Sequence, residues 1–570
     1  MKKIRIISVP FSLISLPSLE TATIKATLNK FGIEAISDVF YVRYADFMGG
    51  DAYREMRVSE LGELVFSSLL FPELHEKHKL YWHNNAKSQQ IDFERSYKKT
   101  YELIEQYLRE NCFENEILLF YIYTKQLIPA LYLAKRIKML YGNVIWLAGY
   151  CCQGEPAKLI KNNFPFIDEC FGTDIEIQLL EKLRPNVSIF TDTLDFLGIP
   201  DYSDYFAAIK RASQNFQDEV ASYYCLQIEF SRGCWWNKCS FCTLNCKSTC
   251  FREKTVERLE NEYYQIINQY NTTSILPELF VCGSHWREQV KAVSRICHNI
   301  SLYLNFKVCQ LSDYKDFELL KEVKAVILIG TESFSEGYLA QMQKGQSILD
   351  NILVLKYSER SGVPCCHNLM YGLPFEKEEY YKETKEVISY IYHLPPPFDI
   401  EKFRLTYGSE IYTHPEVYGI SRIDWRDDAE EKLYPAHLKT KLLPFFFNFE
   451  TENVLVEEKK WKSLIDEWRD RYYMDVYRGE PQRTKLLLMR KTKNLVEIQD
   501  FRYLPAQKMY KLAGVERDVY EFCDIIRTKK DIIKKFGIHE GNMIQEILNR
   551  FIENKLMIAD SCERYLSLAI

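Results

Sequence analysis

The chain has 570 residues and a formal net charge of −5. Apolar residues make up 47% of it and charged residues 27%, which is typical of a globular protein and excludes long disorder. A chain of this length is expected to form about three domains. Without a basic excess there is no electrostatic argument for nucleic-acid binding. No apolar stretch reaches the roughly 18 uncharged residues of a membrane span, so we expect no membrane partner.

The start of the chain and its cysteine usage bear on the cellular compartment. Seventeen cysteines are scattered along the sequence, a pattern typical of a reduced, cytoplasmic protein. A basic start and an apolar run over 6–19 resemble a signal peptide, but Pro10 and Pro17 interrupt the run. We therefore interpret residues 3–9 as a first buried strand.

Residues 1–190 alternate short apolar strands with amphipathic segments, which predicts a Rossmann-like α/β domain. The expected strands are 3–9, 35–41, 116–123 and 143–148, with helices near 19–30 and 130–140. The last strand leads into a loop that runs from Gly149 to Gly154. Parallel sheets bind ligands at the carboxyl ends of their strands, so both glycines are candidates for close approach to a ligand. Ordinary turns explain the two glycines equally well.

The remaining sequence predicts two further domains. Residues 191–447 contain six expected strands with interleaved helices, which favours a partial (β/α)6 TIM-like barrel with its chemistry at the carboxyl ends of the strands. These strands are 223–230, 276–282, 305–311, 325–329, 364–371 and 402–406. Residues 448–570 predict a helix-rich C-terminal domain, with helices over 461–472 and 519–536 and a final strand over 565–570.

Three cysteines, Cys234, Cys239 and Cys242, lie within nine residues directly after the first barrel strand. Three thiolates on one loop suit a 4Fe–4S cluster and leave its fourth iron open to a cofactor. Zinc is the main alternative, because Cys246 and Cys250 follow and would complete a four-thiolate site. The spacing favours a cluster, since zinc ribbons usually pair two Cys-x-x-Cys knuckles across a longer gap.

The loop over 231–242 resembles the cluster loop of radical S-adenosylmethionine (SAM) enzymes. The whole chain is similar to the RiPP maturation radical SAM protein family, where RiPP denotes a ribosomally made and post-translationally modified peptide. Further matching segments follow in the family's order, at 61–66, 200–205, 251–254, 330–333, 342–345, 368–374 and 393–397. The chain departs from many relatives in a shorter gap between the first two cysteines and in Thr243, where they have glycine.

The resemblance implies a cobalamin-binding-like N-terminal domain, a radical SAM barrel and three cofactors, namely a 4Fe–4S cluster, SAM and cobalamin. SAM is expected to chelate the open iron through its amino and carboxylate groups. The residues expected near SAM or the substrate are Gly283, Ser284, Glu332, Asn368, Gly372, Pro374, Arg404 and Tyr407. For Glu332, a salt bridge inside the barrel mouth is an equal alternative.

Cobalamin is expected with its tail at the loop between Gly149 and Gly154. The first 200 residues contain only His75, His78 and His83, and none lies in the Asp-x-His-x-x-Gly pattern of a lower axial ligand. Either cobalamin binds without a histidine, or the domain has kept the shape and lost the cofactor.

Three functions follow from these features. The first is a radical SAM enzyme that C-methylates a ribosomally made precursor peptide at an unactivated carbon, with cobalamin and an external electron donor. The second is a cobalamin-independent enzyme that crosslinks, epimerises or rearranges such a peptide. The third is a non-enzymatic binding protein that carries zinc or a cluster. In the first two, the C-terminal domain is a candidate for leader-peptide recognition.

Overall fold

The computed structural model describes residues 2–59, 61–85, 91–189, 191–244, 248, 250–272, 274–279, 281–296, 302–425, 432–439, 442, 446–473, 486–503, 507–537 and 541–570. No helix within these ranges is long and apolar enough to cross a membrane.

The N-terminal domain is built on a five-stranded parallel sheet. Its strands are β1 Lys3–Ser8, β2 Ala35–Asp38, β3 Glu116–Tyr121, β4 Val144–Ala148 and β5 Glu169–Phe171. They are ordered β2-β1-β3-β4-β5, with every neighbouring pair parallel. Successive strands are added on one side of β1 and then on the other, so the strand order reverses between β1 and β3. Open α/β sheets bind ligands at this position. The predicted Rossmann-like domain is confirmed.

Helices cover both faces of this sheet, and the last of them ends at Ala221, shortly before the second domain begins. They are α1 Leu19–Lys30, α2 Phe40–Met48, α3 Gly50–Val58, α4 Leu61–Leu70, α5 His75–Asn85, α6 Phe93–Glu110, α7 Leu127–Tyr141, α8 Gly154–Asn163, α9 Ile175–Leu183, α10 Ser203–Arg211 and α11 Gln214–Ala221. The predicted strand 35–41 ends at Asp38, because α2 begins two residues later. Helix α4 is buried along most of its length, and a Cβ on Gly62 would lie 2.1 Å from the Phe11 ring.

The second domain is an arc of six parallel strands. They are β6 Leu226–Arg232, β8 Ile275–Leu279, β9 Tyr303–Phe306, β10 Val326–Glu332, β11 Cys365–Tyr371 and β12 Asp399–Lys402, while the short β7 Arg252–Glu253 pairs antiparallel with the end of β6. The backbone N–H of Cys282 donates to the carbonyl oxygen of Asn305 at 2.7 Å and joins the β6–β8 pair to the other four strands. The partial barrel is confirmed.

The outer helices of the barrel are α12 Val256–Tyr270, α13 Trp286–Ile296, α14 Tyr314–Glu322, α15 Glu336–Gln341, α16 Ile348–Ser361 and α17 Glu378–Ile391. Apolar side chains on the outward face of the strands pack against them. The predicted strand 305–311 stops at Phe306, because Val308–Gln310 forms a 3-10 turn.

The predicted strand 402–406 is divided between two sheets. Strand β12 ends at Lys402, and β13 Leu405–Thr406 joins a separate antiparallel sheet with β14 Ile420–Trp425 and β15 Phe446–Thr451. The short helices α18 Glu410–Thr413 and α19 Ala436–Lys439 lie beside these strands in the sequence. The boundary predicted after residue 447 therefore falls inside β15, whose pairing to β13 extends the barrel region to Thr451.

The helices in the described part of the C-terminal region are α20 Glu458–Tyr472, α21 Gly514–Phe522, α22 Lys529–Phe536 and α23 Gly541–Glu553. Two small antiparallel sheets accompany them: β16 Leu487–Lys491, β17 Leu495–Asp500 and β18 Lys508–Ala513 in one, and β19 Arg527–Thr528, β20 Met557–Ala559 and β21 Arg564–Ser567 in the other. The helix predicted over 519–536 is two helices. Thr528 caps α22 through a capping box with Asp531, so a new helix starts there.

A buried ion cluster fixes the C-terminal region to the barrel. Lys356 on α16 is fully buried, and its Nζ lies 2.8 Å from Asp524 Oδ1 and donates to the carbonyl oxygen of Ser567 at 2.6 Å. Arg360 donates two further hydrogen bonds to the Asp524 carboxylate. Burial alone would raise the pKa of Asp524, but Arg360 and Lys356 outweigh it and hold that pKa below its usual value.

Asp524→Asn is expected to lower the free energy of unfolding by about 3–5 kcal/mol, because it leaves a buried lysine without its counter-charge. Because the pKa of Asp524 is lowered in the folded state, its contribution is present above the unfolded pKa of 3.8 and is lost as the pH falls below that value. Urea unfolding of both proteins at neutral and at acid pH measures this difference. Asp518→Asn, which removes a more exposed partner of Arg517, should cost less than about 1 kcal/mol. Equal losses in the two variants would contradict the assignment.

Candidate functional site

The three predicted cluster cysteines line one cavity of about 590 Å³. Cys234, Cys239 and Cys242 follow β6 and are each half-buried. The backbone N–H of Leu244 donates to the Cys242 sulfur at 3.5 Å. Burial raises the pKa of Cys239 and brings the pKa of Cys242 to about 11. These thiols keep their protons at neutral pH unless a metal replaces them.

The spacing of the sulfur atoms bears on the choice between zinc and a cluster. The Sγ atoms of Cys234, Cys239 and Cys242 do not all lie within 4.8 Å of one another. A single tetrahedral zinc with bonds of about 2.3 Å would draw thiolates to about 3.8 Å apart. At least one of the three sulfur pairs is therefore wider than a single zinc ion would draw it. Cys250 is exposed, and Cys246 lies outside the described residues.

Buried charges hold the strand that leads into the cysteine loop. Arg232, two residues before Cys234, forms paired hydrogen bonds with Glu229 on β6 and with Glu176 on α9 of the N-terminal domain. Burial alone would lower the pKa of Arg232, but the two carboxylates outweigh it and raise that pKa well above its usual value. The end of β6 is therefore tied to the N-terminal domain through a permanent cation.

Two of the predicted SAM residues lie in the cavity with the cysteines. Glu332 ends β10 with a φ of 58°, in the left-handed region that residues other than glycine seldom adopt. Its Oε1 lies 2.7 Å from Lys344 Nζ, so the salt bridge weighed from the sequence is present. Asn368 on β11 lines the same cavity, and its Oδ1 accepts the backbone N–H of Asp399 at 3.2 Å.

The predicted pair Gly283 and Ser284 lies against a carboxylate that sequence reasoning missed. A Cβ on Gly283 would lie 1.8 Å from Glu253 Oε2, so a larger residue would displace that carboxylate. The Ser284 hydroxyl lies 3.4 Å from Glu253 Oε1, and His285 Nδ1 lies 2.6 Å from the same oxygen. The other carboxylate oxygen, Oε2, is buried without a hydrogen-bond partner among the described residues. Glu253 therefore supplies an acidic group that the loop after β8 lacks in its own sequence.

A second predicted group lies outside the cavity lining. The backbone N–H of Gly372 donates to Glu376 Oε1 at 3.1 Å, and the carbonyl oxygen of Pro374 accepts from the Asn453 side chain at 2.7 Å. The guanidinium of Arg404 lies 5.8 Å from the centre of the Phe446 ring. These contacts direct Pro374 and Arg404 toward β15 and the residues that follow it, and Gly372 toward Glu376. The roles of all three toward SAM stay predictions.

Tyr407 connects the two domains at the predicted glycine loop. The backbone N–H of Glu155 donates to Tyr407 Oη at 3.4 Å, and a Cβ on Gly154 would lie 3.1 Å from that oxygen. A Cβ on Gly149, which has a φ of 144°, would lie 2.1 Å from the carbonyl oxygen of Ile122. Both glycines thus permit close approach of protein groups, and their contact with a cofactor stays a prediction.

A smaller cavity of about 100 Å³ separates the carboxyl edge of the N-terminal sheet from β6 and β8. It is lined by carboxylates and tyrosines, namely Glu20, Asp174, Glu176, Glu229, Glu278, Tyr121, Tyr123 and Tyr150. Thr23 lines it as well, and the buried hydroxyls of Thr23 and of Ser8 at the end of β1 have no hydrogen-bond partner among the described residues.

These groups suit the amide-rich rim of cobalamin, because carboxylates accept from amide N–H groups and hydroxyls both donate and accept. The cavity has the volume of one amide arm, so the whole macrocycle requires a wider gap between the sheet edge and the barrel. Of the N-terminal histidines, His78 is bonded to the Ser68 hydroxyl and to the carbonyl oxygen of Lys432, and His75 lies on α5 beside Glu94. Neither is at the sheet edge.

Comparisons with known proteins agree with this architecture. No family model matches the chain. A curated protein, the hopanoid C-3 methylase of Methylococcus capsulatus, is 24% identical over 255 residues, which are 42% of this chain and 46% of that protein. The chain thus matches less than half the length of this relative.

Two solved structures share the fold. The cobalamin-dependent SAM radical enzyme OxsB, with aqua-cobalamin and SAM bound, aligns with a TM-score of 0.51 and 11% identity over 84% of this chain and 71% of that chain. The radical SAM methyltransferase TsrM from Kitasatospora setae, with tryptophan substrate and a SAM analogue bound, aligns with a TM-score of 0.53 and 10% identity over 83% and 90%. The chain therefore has the fold of cobalamin-dependent radical SAM enzymes.

Replacing single cysteines is expected to separate a cluster from a zinc site. Cys239→Ala should lose nearly all iron and sulfide after anaerobic reconstitution, because three thiolates are needed to hold the cluster. Cys250→Ala removes one exposed thiol from the same region and should keep the iron and sulfide content of the unchanged protein. Zinc without sulfide in the unchanged protein, or equal losses in both variants, would contradict the cluster.

Proposed function

We propose that this chain is a cobalamin-dependent radical SAM methyltransferase. The observation that carries the proposal is the common cavity of Cys234, Cys239, Cys242, Glu332 and Asn368, at the carboxyl ends of six parallel strands and beside a Rossmann-like domain. The fold shared with OxsB and TsrM and the partial match to a hopanoid methylase support it.

The residues of the cavity have different proposed roles. The three cysteine thiolates hold the cluster and leave one iron for SAM, while Asn368 and the Glu332 carboxylate offer fixed hydrogen-bond acceptors beside it. Thr23, Glu20 and Glu278 are the residues that would meet the rim of cobalamin. When bound, the cluster and SAM supply one-electron chemistry and cobalamin carries a methyl group.

The far end of the cavity is apolar. Tyr303, Leu328 and Phe398, which lie near the amino ends of β9, β10 and β12, line it and are 47%, 37% and 76% exposed. Phe241 and Leu244 line the end near the cysteines. Exposed apolar side chains at this end suit contact with an apolar part of a substrate.

Product analysis tests the reaction. The reconstituted protein, supplied with SAM, cobalamin, a reductant and a peptide substrate, is expected to yield S-adenosylhomocysteine together with 5′-deoxyadenosine and a methylated product. Because the methyl group passes through cobalamin, omission of cobalamin should abolish S-adenosylhomocysteine. Chromatography of the nucleosides measures both products, and the visible spectrum of the purified protein reports bound cobalamin.

The alternatives give different products. Formation of 5′-deoxyadenosine without any need for cobalamin would favour radical crosslinking, epimerisation or rearrangement over methylation. Absence of iron and sulfide from the anaerobic protein would favour a binding protein over both enzymes.

We further propose that the substrate is a ribosomally made peptide, which the C-terminal region binds through the edge of β18. Among the described residues, β18 pairs with β17 alone. The chain end covers β16, because the N–H of Met489 donates to the carbonyl oxygen of Ile570 and the N–H of Ile570 donates to that of Leu487. Met509 on β18 is 53% exposed, and Lys508 and Lys511 are exposed beside it. An open edge with lysines suits an extended, acidic peptide segment that adds a strand to the sheet.

Charge reversal tests this edge. Lys508→Glu with Lys511→Glu is expected to weaken binding of a fluorescent poly(Glu-Val) peptide about tenfold, because two attractive charges become repulsive. Fluorescence anisotropy measures the affinity. The matched control is Lys530→Glu with Lys534→Glu on α22, which changes net charge equally at exposed positions. Equal weakening in both double variants would contradict a site on β18.

A further inference from the structure

Residues 341–345, which begin with the last residue of α15, form a second support for the cysteine loop. The backbone N–H of Ser240 donates to the carbonyl oxygen of Met342 at 3.0 Å. Trp236 Nε1–H donates to the carbonyl oxygen of Gln343, also at 3.0 Å. Ser240 and Trp236 both lie between the first and last cluster cysteines. The loop that carries the cysteines is therefore held by β6 at its start and by residues 341–345 along its length.

Two lysines meet at this support. Lys307, after β9, donates from Nζ to the carbonyl oxygens of Lys344 at 2.5 Å and Gly345 at 3.3 Å, and its Nζ lies 4.2 Å from the centre of the Trp236 ring. A Cβ on Gly345 would lie 2.0 Å from Trp236, so glycine is required for this contact. The side chain of Lys344 then points back to Glu332, which its Nζ meets at 2.7 Å.

The pair of Lys344 and Glu332 lies deep in the cavity of the cysteines. Their side chains are only 12% and 13% exposed. A Cβ on Gly330 would lie 2.5 Å from Lys344 Nζ and 2.6 Å from Glu332 Oε1, so the pair occupies the space above a glycine. The ammonium also lies 5.7 Å from the centre of the Phe241 ring, whose residue precedes Cys242. The charge of Lys344 is thus held within the cysteine site and away from solvent.

The charges of this cavity are few. Lys307, Lys344 and Glu332 are its charged side chains among the described residues, and His367 is neutral because burial lowers its pKa to about 4. Burial alone would lower the pKa of Lys344, but the ion pair with Glu332 outweighs it and raises that pKa. Lys344 therefore remains a cation at neutral pH.

We propose that Lys344 is a positioning residue that raises the reduction potential of the cluster bound by Cys234, Cys239 and Cys242. A fixed positive charge in a poorly solvated cavity stabilises the reduced cluster, which carries one more negative charge than the oxidised cluster. Lys344 also holds the Glu332 carboxylate inside the cavity. This role of Lys344 depends on the 4Fe–4S cluster of the proposed function, and it explains how the chain makes that cluster easier to reduce.

Redox titration of the full, anaerobically reconstituted chain tests the proposal, with the reduced cluster followed by electron paramagnetic resonance. Lys344→Met keeps the length of the side chain without its charge, and we expect its midpoint potential to fall while iron and sulfide stay unchanged. Lys344→Arg should restore the potential because it restores the charge. Lys238→Met is the matched control: Lys238 is exposed and lies 5.1 Å from the Trp236 ring, so solvent screens its charge and the potential should not move.

Glu332→Gln provides a second measurement in case Lys344→Met does not assemble a cluster. It removes a negative charge at the same place and is expected to raise the midpoint potential. An unchanged potential in Lys344→Met, an equal fall in Lys238→Met, or an unchanged or lower potential in Glu332→Gln would overturn the proposal. Absence of iron and sulfide from the unchanged protein would instead refute the proposed function itself, before any variant is compared.

Discussion

The placement of the whole site depends on the burial of one guanidinium. Arg232 and its partners Glu229 and Glu176 have side chains that are 11%, 8% and 4% exposed. A buried cation is costly unless it is paired and hydrogen-bonded, and the cost of leaving it unpaired is several kcal/mol. Because Glu176 belongs to the N-terminal domain, Arg232 is fully paired only when that domain is docked on the barrel. A second contact of the same kind joins Arg252 on β7 to Asp174.

This constraint reaches the cysteines through the covalent chain. Arg232 precedes Cys234 by two residues, so docking of the domains also fixes where the cysteine loop begins. Residues 341–345 then hold the loop from the barrel side through Trp236 and Ser240. A loop supported from both sides keeps at least one pair of its three sulfur atoms farther apart than a single zinc ion would draw it. The position of the cysteine loop is therefore imposed by the fold around it and not by the loop alone.

The sequence was sufficient for the features that depend on local pattern. Alternation of apolar strands and amphipathic helices predicted both α/β domains, and Cys234, Cys239 and Cys242 stood out by spacing. Contacts between distant segments were beyond such reasoning. Nothing near Glu332 in the sequence indicates that its partner is Lys344 or that Gly330 makes room for the pair. The division of 402–406 between two sheets depends likewise on β15, which lies some forty residues further along the chain.

The loop after β8 shows how an expectation taken from a sequence motif can differ from the contacts in the structure. Gly283 and Ser284 were expected at a cofactor because of their place after a barrel strand, although the loop lacks an acidic residue. The structure supplies an acid from β7, where Glu253 packs against the bare Cα of Gly283 and keeps one buried oxygen without a hydrogen-bond partner in the described part of the chain. A buried carboxylate oxygen without a donor is unfavourable unless a ligand pairs with it. Gly283 after β8 and Glu253 on β7 thus form one candidate binding group that neither segment provides alone.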